Sequence, residues 1–464
     1  MCALDAAFLH VEDGVTPMHI GMAATFEGPI LPQDEIAAAV AAKLHRVPRY
    51  RQRVRFAPLA FARPMWADDP HFRLSYHLRR TALPTPGSEE ELRTLVGRVM
   101  EQRLDRERPL WELWVVEGLA DGRWALIMKV HHCMVDGVAA TDLLDLLLDH
   151  GRETTIEPAP AWEPAPEPPA LGKLSETIAA TGAGVADGVR GLATAATQPR
   201  KTAMNAAAFV SGMAHFAGVV RTPPPSSLNG PVGPHRRWLT ARAQLADVKT
   251  IRAAHGCTVN DVVLATITRG FRDLLLARGE SVEGRVVRSF VPVSVRSDDH
   301  HDRFNNEVSA IFADLPVWSD DPLERLTTVH EMMDRLKRSG EAFAGSVLTG
   351  LGGWAPALGW ALGNQLGTRT PQHAINTVTT NIPGPQQPWF LHGRRMLELF
   401  PYVPCGGHMR AIVAIYSYDG NLAFGITGDA PHAGDLELLT DGIEAEMEAL
   451  LAISARAGVT HEQA

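Results

Sequence analysis

Short apolar runs and longer stretches of helical periodicity alternate along this chain. Trp124-Ala125-Leu126-Ile127-Met128-Lys129-Val130 is almost wholly apolar, and Asp121-Gly122 stands before it as a turn signal. Such a run predicts a buried strand, with Leu113-Trp114-Val115-Val116 as its hairpin partner across the turn. Residues 138–148 carry Leu143, Leu144, Leu147 and Leu148 at helical spacing and stop near Gly151. Upstream, a helix is expected from about Asp34, with Ile36, Val40 and Leu44 on one face and an end before Pro48. Downstream, Asn260 is expected to cap a helix bearing Val263, Ile267, Phe271 and Leu274 and closed by Gly279. Residues 286–295 and 306–315 read as strands. Residues 412–418, the turn Asp419-Gly420-Asn421 and residues 422–427 read as a hairpin. A last amphipathic helix aligns Leu436, Leu439, Ile443, Met447 and Leu450. Strands and helices intermix throughout, so the expected class is α/β.

The pattern breaks once on a large scale. Residues 157–169 repeat Pro with Ala and Glu, residues 171–220 are rich in Ala, Gly and Thr, and Pro223-Pro224-Pro225 follows. This composition suits an extended spacer. The expected organisation is a first half at 1–154, a linker at 155–235 with surface helices, and a second half at 236–464. A chain of 464 residues is long enough for two such halves. Two uncharged stretches stand out. Residues 342–368 contain Trp354 and Trp360 but are interrupted by glycines, Pro356, Asn364 and Gln365, which suits a buried helix pair or an apolar passage wall better than a bilayer span. Residues 202–220 are expected to pack or to lie on a membrane surface.

Composition narrows the function by exclusion. The formal net charge of −9, without a basic block, gives no reason to expect nucleic acid. Cys2, Cys133, Cys257 and Cys405 are scattered with no CxxC pair, which fits a reducing cytosolic compartment. No basic stretch followed by an apolar run marks a secretory signal near residue 1.

The chemistry concentrates in His131-His132-Cys133-Met134-Val135-Asp136-Gly137, directly after the buried strand. Successive strand side chains point to opposite faces, so one histidine is the reagent and the other its support. An imidazole accepts a proton near neutral pH without a large pKa shift. Asp136 suits a hydrogen bond or cation that fixes the turn, and Gly137 permits backbone angles other residues resist. No third ligand at a familiar spacing supports a metal. Cys133 reads as a small filler, and no GxSxG elbow points to an acyl-enzyme.

This HHxxxDG pattern resembles that of the coenzyme-A-dependent acyltransferase superfamily, which includes chloramphenicol acetyltransferases and peptide-synthetase condensation domains. Further signatures follow in order: Leu4-Asp5-Ala6-Ala7-Phe8-Leu9, Pro17-Met18-His19, Pro109-Leu110-Trp111, Asn260-Asp261-Val262-Val263-Leu264-Ala265, Thr380-Asn381-Ile382-Pro383-Gly384-Pro385 and Ser417-Tyr418-Asp419-Gly420. Together they resemble the bacterial wax ester synthase/acyl-CoA:diacylglycerol acyltransferase family over nearly the full length. The resemblance implies two chloramphenicol-acetyltransferase-like halves around a central tunnel. It implies acyl transfer from acyl-CoA, as co-substrate and with no bound cofactor, to a fatty alcohol or diacylglycerol. By the same resemblance His132 is the catalytic base, His131 its support and Asp136 a structural acid beside Gly137. The acid pairs with an arginine elsewhere, for which Arg296 is a candidate. Pro109, Leu110, Trp111, Asn260, Asp261, Asn381 and Gly384 are substrate-binding candidates, each with an alternative reading as packing, cap or turn. The expected location is cytoplasmic, with peripheral contact at the inner membrane or lipid droplets. Two alternatives remain open: a polyketide or sugar hydroxyl as acceptor, and a non-catalytic lipid-surface protein.

Overall fold

The structure, a computed structural model, describes residues 1, 3–56, 64–134, 147–154, 156, 160–166, 226–294, 308–338 and 375–462. Asp136, Gly137 and Arg296 lie outside these residues, as do 138–146 of the expected helix and the stretches at 202–220 and 342–368.

In the first part, α1 (Ala3–Val11) leads to β1 (His19–Phe26), α2 (Gln33–Lys43), β2 (Gln52–Arg55), β3 (Met65–Asp68), the single turn α3 (Leu74–His77) and β4 (Leu78–Ala82). Then come α4 (Glu89–Glu101), β5 (Trp111–Glu117) and β6 (Trp124–His131). After residue 226 the elements are β7 (Arg236–Gln244), α5 (Leu245–His255), α6 (Val259–Ala277), β8 (Val287–Ser294), β9 (Val308–Leu315) and α7 (Pro322–Arg338). They end with β10 (Thr377–Ile382), β11 (Phe390–Leu391), β12 (Arg394–Tyr402), β13 (Ala411–Tyr418), β14 (Asn421–Asp429) and α8 (Glu437–Glu462).

Two six-stranded mixed sheets result, ordered β11-β12-β1-β6-β5-β4 and β7-β14-β13-β10-β8-β9, with β2 and β3 as a separate hairpin. The β5–β6 hairpin forms as its apolar pattern predicts, with Asp121 and Gly122 both at positive φ in the turn. So does the β13–β14 hairpin, in which Tyr418 faces Asn421 across Asp419 and Gly420, again both at positive φ. Helix α2 buries Ile36 and Val40 against the first sheet, and α8 buries Leu439, Ile443, Met447 and Leu450 against the second.

Local rules set the helix starts. Ser88 and Glu91 close a capping box on α4. Helix α6 corrects an expectation: its cap is Thr258, whose hydroxyl accepts from Asp261 N while Asp261 Oδ2 accepts from Thr258 N. Asn260 lies two residues too late for that role, and its side chain is used elsewhere.

The two sheets interlock. β11 and β12 follow β10 in the chain but pair into the first sheet, with β12 antiparallel to β1 from Gly21–Tyr402 to Phe26–Met396. The indole of Trp238 on β7 donates to Pro401 O on β12 at 3.2 Å, and Arg242 on β7 binds Glu398 on β12 at 2.6 Å and Glu89 on α4 at 2.7 Å. Gly425 on β14 lies so close that an added Cβ would sit 1.8 Å from Pro401 O. Backbone cannot yield as a flexible side chain can, so Gly425→Ala is expected to lower stability by about 1–3 kcal/mol, the usual cost of overpacking. Denaturant unfolding checks this; an unchanged midpoint would mean that the sheets part without loss.

Candidate active site

The site begins with a buried carboxylate. Glu12 follows α1, and its side chain is 1% exposed. The Arg106 guanidinium donates to Glu12 Oε2 through Nη2 at 2.7 Å and Nε at 3.1 Å, and a further Nη2 bond reaches Leu9 O at 2.9 Å. Arg103 adds a contact at 3.4 Å. The other oxygen, Oε1, faces Met18 N at 3.3 Å, His19 Nε2 at 3.4 Å and His131 Nε2 at 3.6 Å. Burial would raise this carboxyl's pKa, but the His131 ring against it outweighs burial and the carboxyl is held well below the usual carboxylate range.

His19 and His131 sit directly opposite each other on β1 and β6, with ring centroids 5.9 Å apart. His19 Nδ1 lies 3.1 Å from Met100 O, and Leu104 N donates to its Nε2 at 3.4 Å, so the proton sits on Nδ1. Burial pushes its pKa down to about 4. Lys129, two residues before His131 on β6, donates to Val99 O at 2.8 Å and to Gln102 O. Lys129 and His19 thus satisfy carbonyls that the end of α4 leaves open. Burial lowers the lysine's pKa to about 8.

The two motif histidines have opposite surroundings. His131 is fully buried, and Cys133 N donates to its Nδ1 at 3.1 Å, which leaves the Nε2 proton facing Glu12. His131 N donates to Leu110 O, Met134 N to His131 O, and His132 N to Met18 O at 2.8 Å, fixing the turn on three sides. The half-buried His132 ring stacks on Phe8 at 3.9 Å with a 14° interplanar angle. Cys133 is packed among Leu9, Val54, Leu104 and Leu110, and burial pushes its thiol pKa up, away from nucleophilic use.

The other expected residues fall in two places. Pro109-Leu110-Trp111 enters β5, where Leu110 supports His131 through its backbone. The Trp111 ring is buried, stacks on His77 at 4.6 Å and donates to Tyr50 O at 2.8 Å, so it packs the core. On the second-sheet side, Asn381 Nδ2 donates to Asn260 Oδ1 at 3.4 Å, and Gly384 N to Ser417 Oγ at 3.1 Å. Asp261 holds the cap of α6 and also His330 Nδ1 at 2.8 Å. Glu12 and Arg106 escape a reading of sequence, because their partners lie up to 119 residues away from Glu12 along the chain. Among the described residues no group of His, Cys, Asp and Glu could hold a metal ion.

Two interlocked mixed sheets with a histidine turn at a strand end define an acyltransferase fold. Its likeness to the TRI3 trichothecene 15-O-acetyltransferase of Fusarium sporotrichioides has a TM-score of 0.62 at 12% identity, over 97% of this chain and 94% of that one, and concerns the fold alone. The family is more specific. The family model described as the wax ester synthase/diacylglycerol acyltransferase catalytic domain matches residues 1–263, and the WS/DGAT C-terminal domain model matches residues 304–451. The chain is 38% identical over 469 residues to a Mycobacterium tuberculosis protein named "Probable diacyglycerol O-acyltransferase tgs1", covering 100% of this chain and 98% of that protein. It matches the solved wax ester synthase/diacylglycerol acyltransferase from Marinobacter aquaeolei VT8 with a TM-score of 0.68 and 25% identity, over 97% and 98% of the two chains. The chain belongs to the wax ester synthase/diacylglycerol acyltransferase family, and it is an acyltransferase. The resemblance drawn from the motifs and the two-half fold are both met.

Two outcomes follow from the Glu12 cluster. Glu12→Gln leaves the buried end of Arg106 without its countercharge, and stability is expected to fall by about 3 kcal/mol in denaturant unfolding. The His19 ring, with a folded pKa of about 4 against an ordinary 6.5, makes the unfolded chain the better proton binder between those values. Stability is therefore fully present above pH 6.5 and erodes as the pH falls toward 4, by roughly 3 kcal/mol at most. The gap between wild type and His19→Asn should narrow from pH 7.5 to pH 4.5; a constant gap would contradict a neutral buried ring.

Proposed function

We propose that the chain moves a long-chain acyl group from acyl-CoA to the hydroxyl of a fatty alcohol, giving a wax ester, or of diacylglycerol, giving triacylglycerol. His132 is the general base. A ring nitrogen takes the acceptor hydroxyl proton as the oxygen attacks the thioester carbonyl. The tetrahedral oxyanion collapses, the C–S bond breaks, and the imidazolium returns the proton to the departing thiolate. No acyl-enzyme forms. The observation that carries this reading is the contrast between the adjacent histidines: His131 is buried and committed to Glu12 and Cys133 N, while His132 is half-buried on the turn. His131 is then a positioning residue. Asp136, with Gly137, is assigned to fixing the turn, and Arg296 to pairing with Asp136, by the family's motif.

The names of the relatives support a lipid acceptor. The Asn260–Asn381 pair and the Gly384–Ser417 contact are assigned to the substrate wall opposite the histidine turn. Residues 1–154 and 236–464 are read as the two halves that carry these walls, joined by 155–235. Among the described residues no helix is long and apolar enough to cross a membrane, so contact with a membrane or droplet is assigned to the surface of the protein.

Purified His132→Ala is expected to lose about 10²–10⁴-fold in coenzyme release on mixing acyl-CoA with hexadecanol or diacylglycerol, while still binding acyl-CoA. Turnover close to wild type would overturn the assignment. His131→Ala should lose stability as well as rate, and offering both acceptors together gives their ratio directly.

A further inference from the structure

Helix α1 and the residue that follows it hold both histidines of the turn. Phe8 and Glu12 stand four residues apart, and Glu12 N donates to Phe8 O at 3.1 Å. The Glu12 carboxylate faces the His131 ring at 3.6 Å. The Phe8 ring lies on the His132 ring, with centroids 3.9 Å apart and planes 14° from parallel. The helix is not free to carry Phe8 away. Arg106 clamps it through Glu12 Oε2 at 2.7 Å and Leu9 O at 2.9 Å. Leu9, 1% exposed, packs with Val54, Leu104, Leu110 and Cys133, and Phe8 packs against that cluster.

A partner on the face of an imidazole differs from one at its edge. A hydrogen bond occupies a ring nitrogen, whereas a stacked ring fixes the plane in which Nδ1 and Nε2 lie and uses neither. The stack also has an electrostatic sense. The face of a phenyl ring carries the negative side of its quadrupole, and a cation within about 6 Å of the centroid is attracted to it. A neutral His132 ring gains little from this, and the imidazolium that forms when it takes the acceptor proton gains more. An interaction stronger after proton transfer than before it lowers the barrier instead of only tightening the ground state. Charges of both signs stand around the same turn: Asp5 and Glu12 are balanced by Arg49 and Arg106, and all four act on the Cys133 thiol next to His132. His131 and His19 are buried, and His10 lies two residues along α1 from Phe8.

We propose that Phe8 is a positioning residue of the transfer reaction: its ring holds the plane of His132 and stabilises the imidazolium that carries the acceptor's hydroxyl proton until the coenzyme thiolate receives it. This rests on His132 as the general base and adds the residue that tunes it. Within the run at residues 4–9, Leu9 seats the helix and Phe8 meets the base.

The test is the pH profile of coenzyme release by the full chain with a long-chain acyl-CoA and hexadecanol. The rate rises with pH as the base loses its proton. Loss of the ring lowers the base's affinity for a proton, so the acidic limb of kcat/KM moves to lower pH. In Phe8→Leu its midpoint should fall by about half a unit to one unit and kcat about three- to tenfold, while KM for acyl-CoA stays within about twofold. Phe8→Tyr, which keeps the ring face, should restore both. Phenylalanines fluorinated stepwise on the ring, placed at Phe8, keep its shape and drain its negative face. The midpoint should fall with each fluorine, which carries the test where Phe8→Leu does not fold. A midpoint that stays put across the fluorinated series, or a rate lost equally at every pH, would overturn the proposal and leave Phe8 as packing. An inactive His132→Ala beside an unmoved series removes this inference alone. A His132→Ala enzyme with turnover near wild type removes the base assignment and this inference with it.

Discussion

A carboxylate buried at the end of α1 organises the histidine turn. Glu12 binds Arg106 with one oxygen and faces His19 and His131 with the other. An ionised group taken out of water is costly unless it is paired and fully hydrogen-bonded. Here that requirement fixes four separate chain segments at once: the end of α1, the start of β1, the connection after α4 that carries Arg106, and the end of β6. With those held, the backbone bonds from His132 N to Met18 O and from Cys133 N to the His131 ring leave the turn one geometry. The position of the His132 ring is thus set in part by its backbone bond and its stacking on Phe8.

The interlocked sheets give this arrangement its rigidity. β1, which carries His19, lies between β6 and β12, and β12 belongs by chain order to the second part. Trp238, Arg242 and Gly425 then press the second sheet onto β12. A displacement of one sheet would therefore be felt at β1, the strand hydrogen-bonded to β6, which ends in the motif. This exchange of a strand holds the two sheets together without a disulfide; the three described cysteines are free and buried.

The sequence makes some of this legible and hides the rest for physical reasons. The β5–β6 and β13–β14 hairpins announce themselves because turn chemistry and apolar runs are local. β1 does not: all eight of its residues are buried, so it shows no alternation, and Gly21, Ala23 and Ala24 dilute its hydrophobicity. The placement of β12 depends on its pairing with β1, from Gly21–Tyr402 to Phe26–Met396, which no window contains, and β11 at two residues is too short to show a pattern. For the site, strand alternation separated His131 from His132, and the family's motifs pointed to His132. Asn260 misled as a cap because Thr258 two residues earlier satisfies the same rule with a better partner in Asp261. Glu12 stayed invisible because an acid after a short helix ordinarily faces solvent, and only tertiary contact with Arg106 and two histidines reverses that expectation.

The charge distribution links the site to its surroundings. Net charge is negative, yet the segment from 36 to 67 is purely basic, and Arg106 beside it is the residue that neutralises Glu12. Inward, Arg106 makes a buried carboxylate tolerable and so orders the histidine turn; outward, the same guanidinium lies 6.0 Å from the exposed Phe56 ring. Val54 lies between these roles, with its own side chain in the cluster under Cys133 and with Arg53 and Arg55 to either side. Anything that lifts the hairpin from that cluster would disturb the packing of Leu9 and Phe8, and Phe8 is the face on which the His132 ring rests. The small hairpin is thus a structural support of the histidine turn.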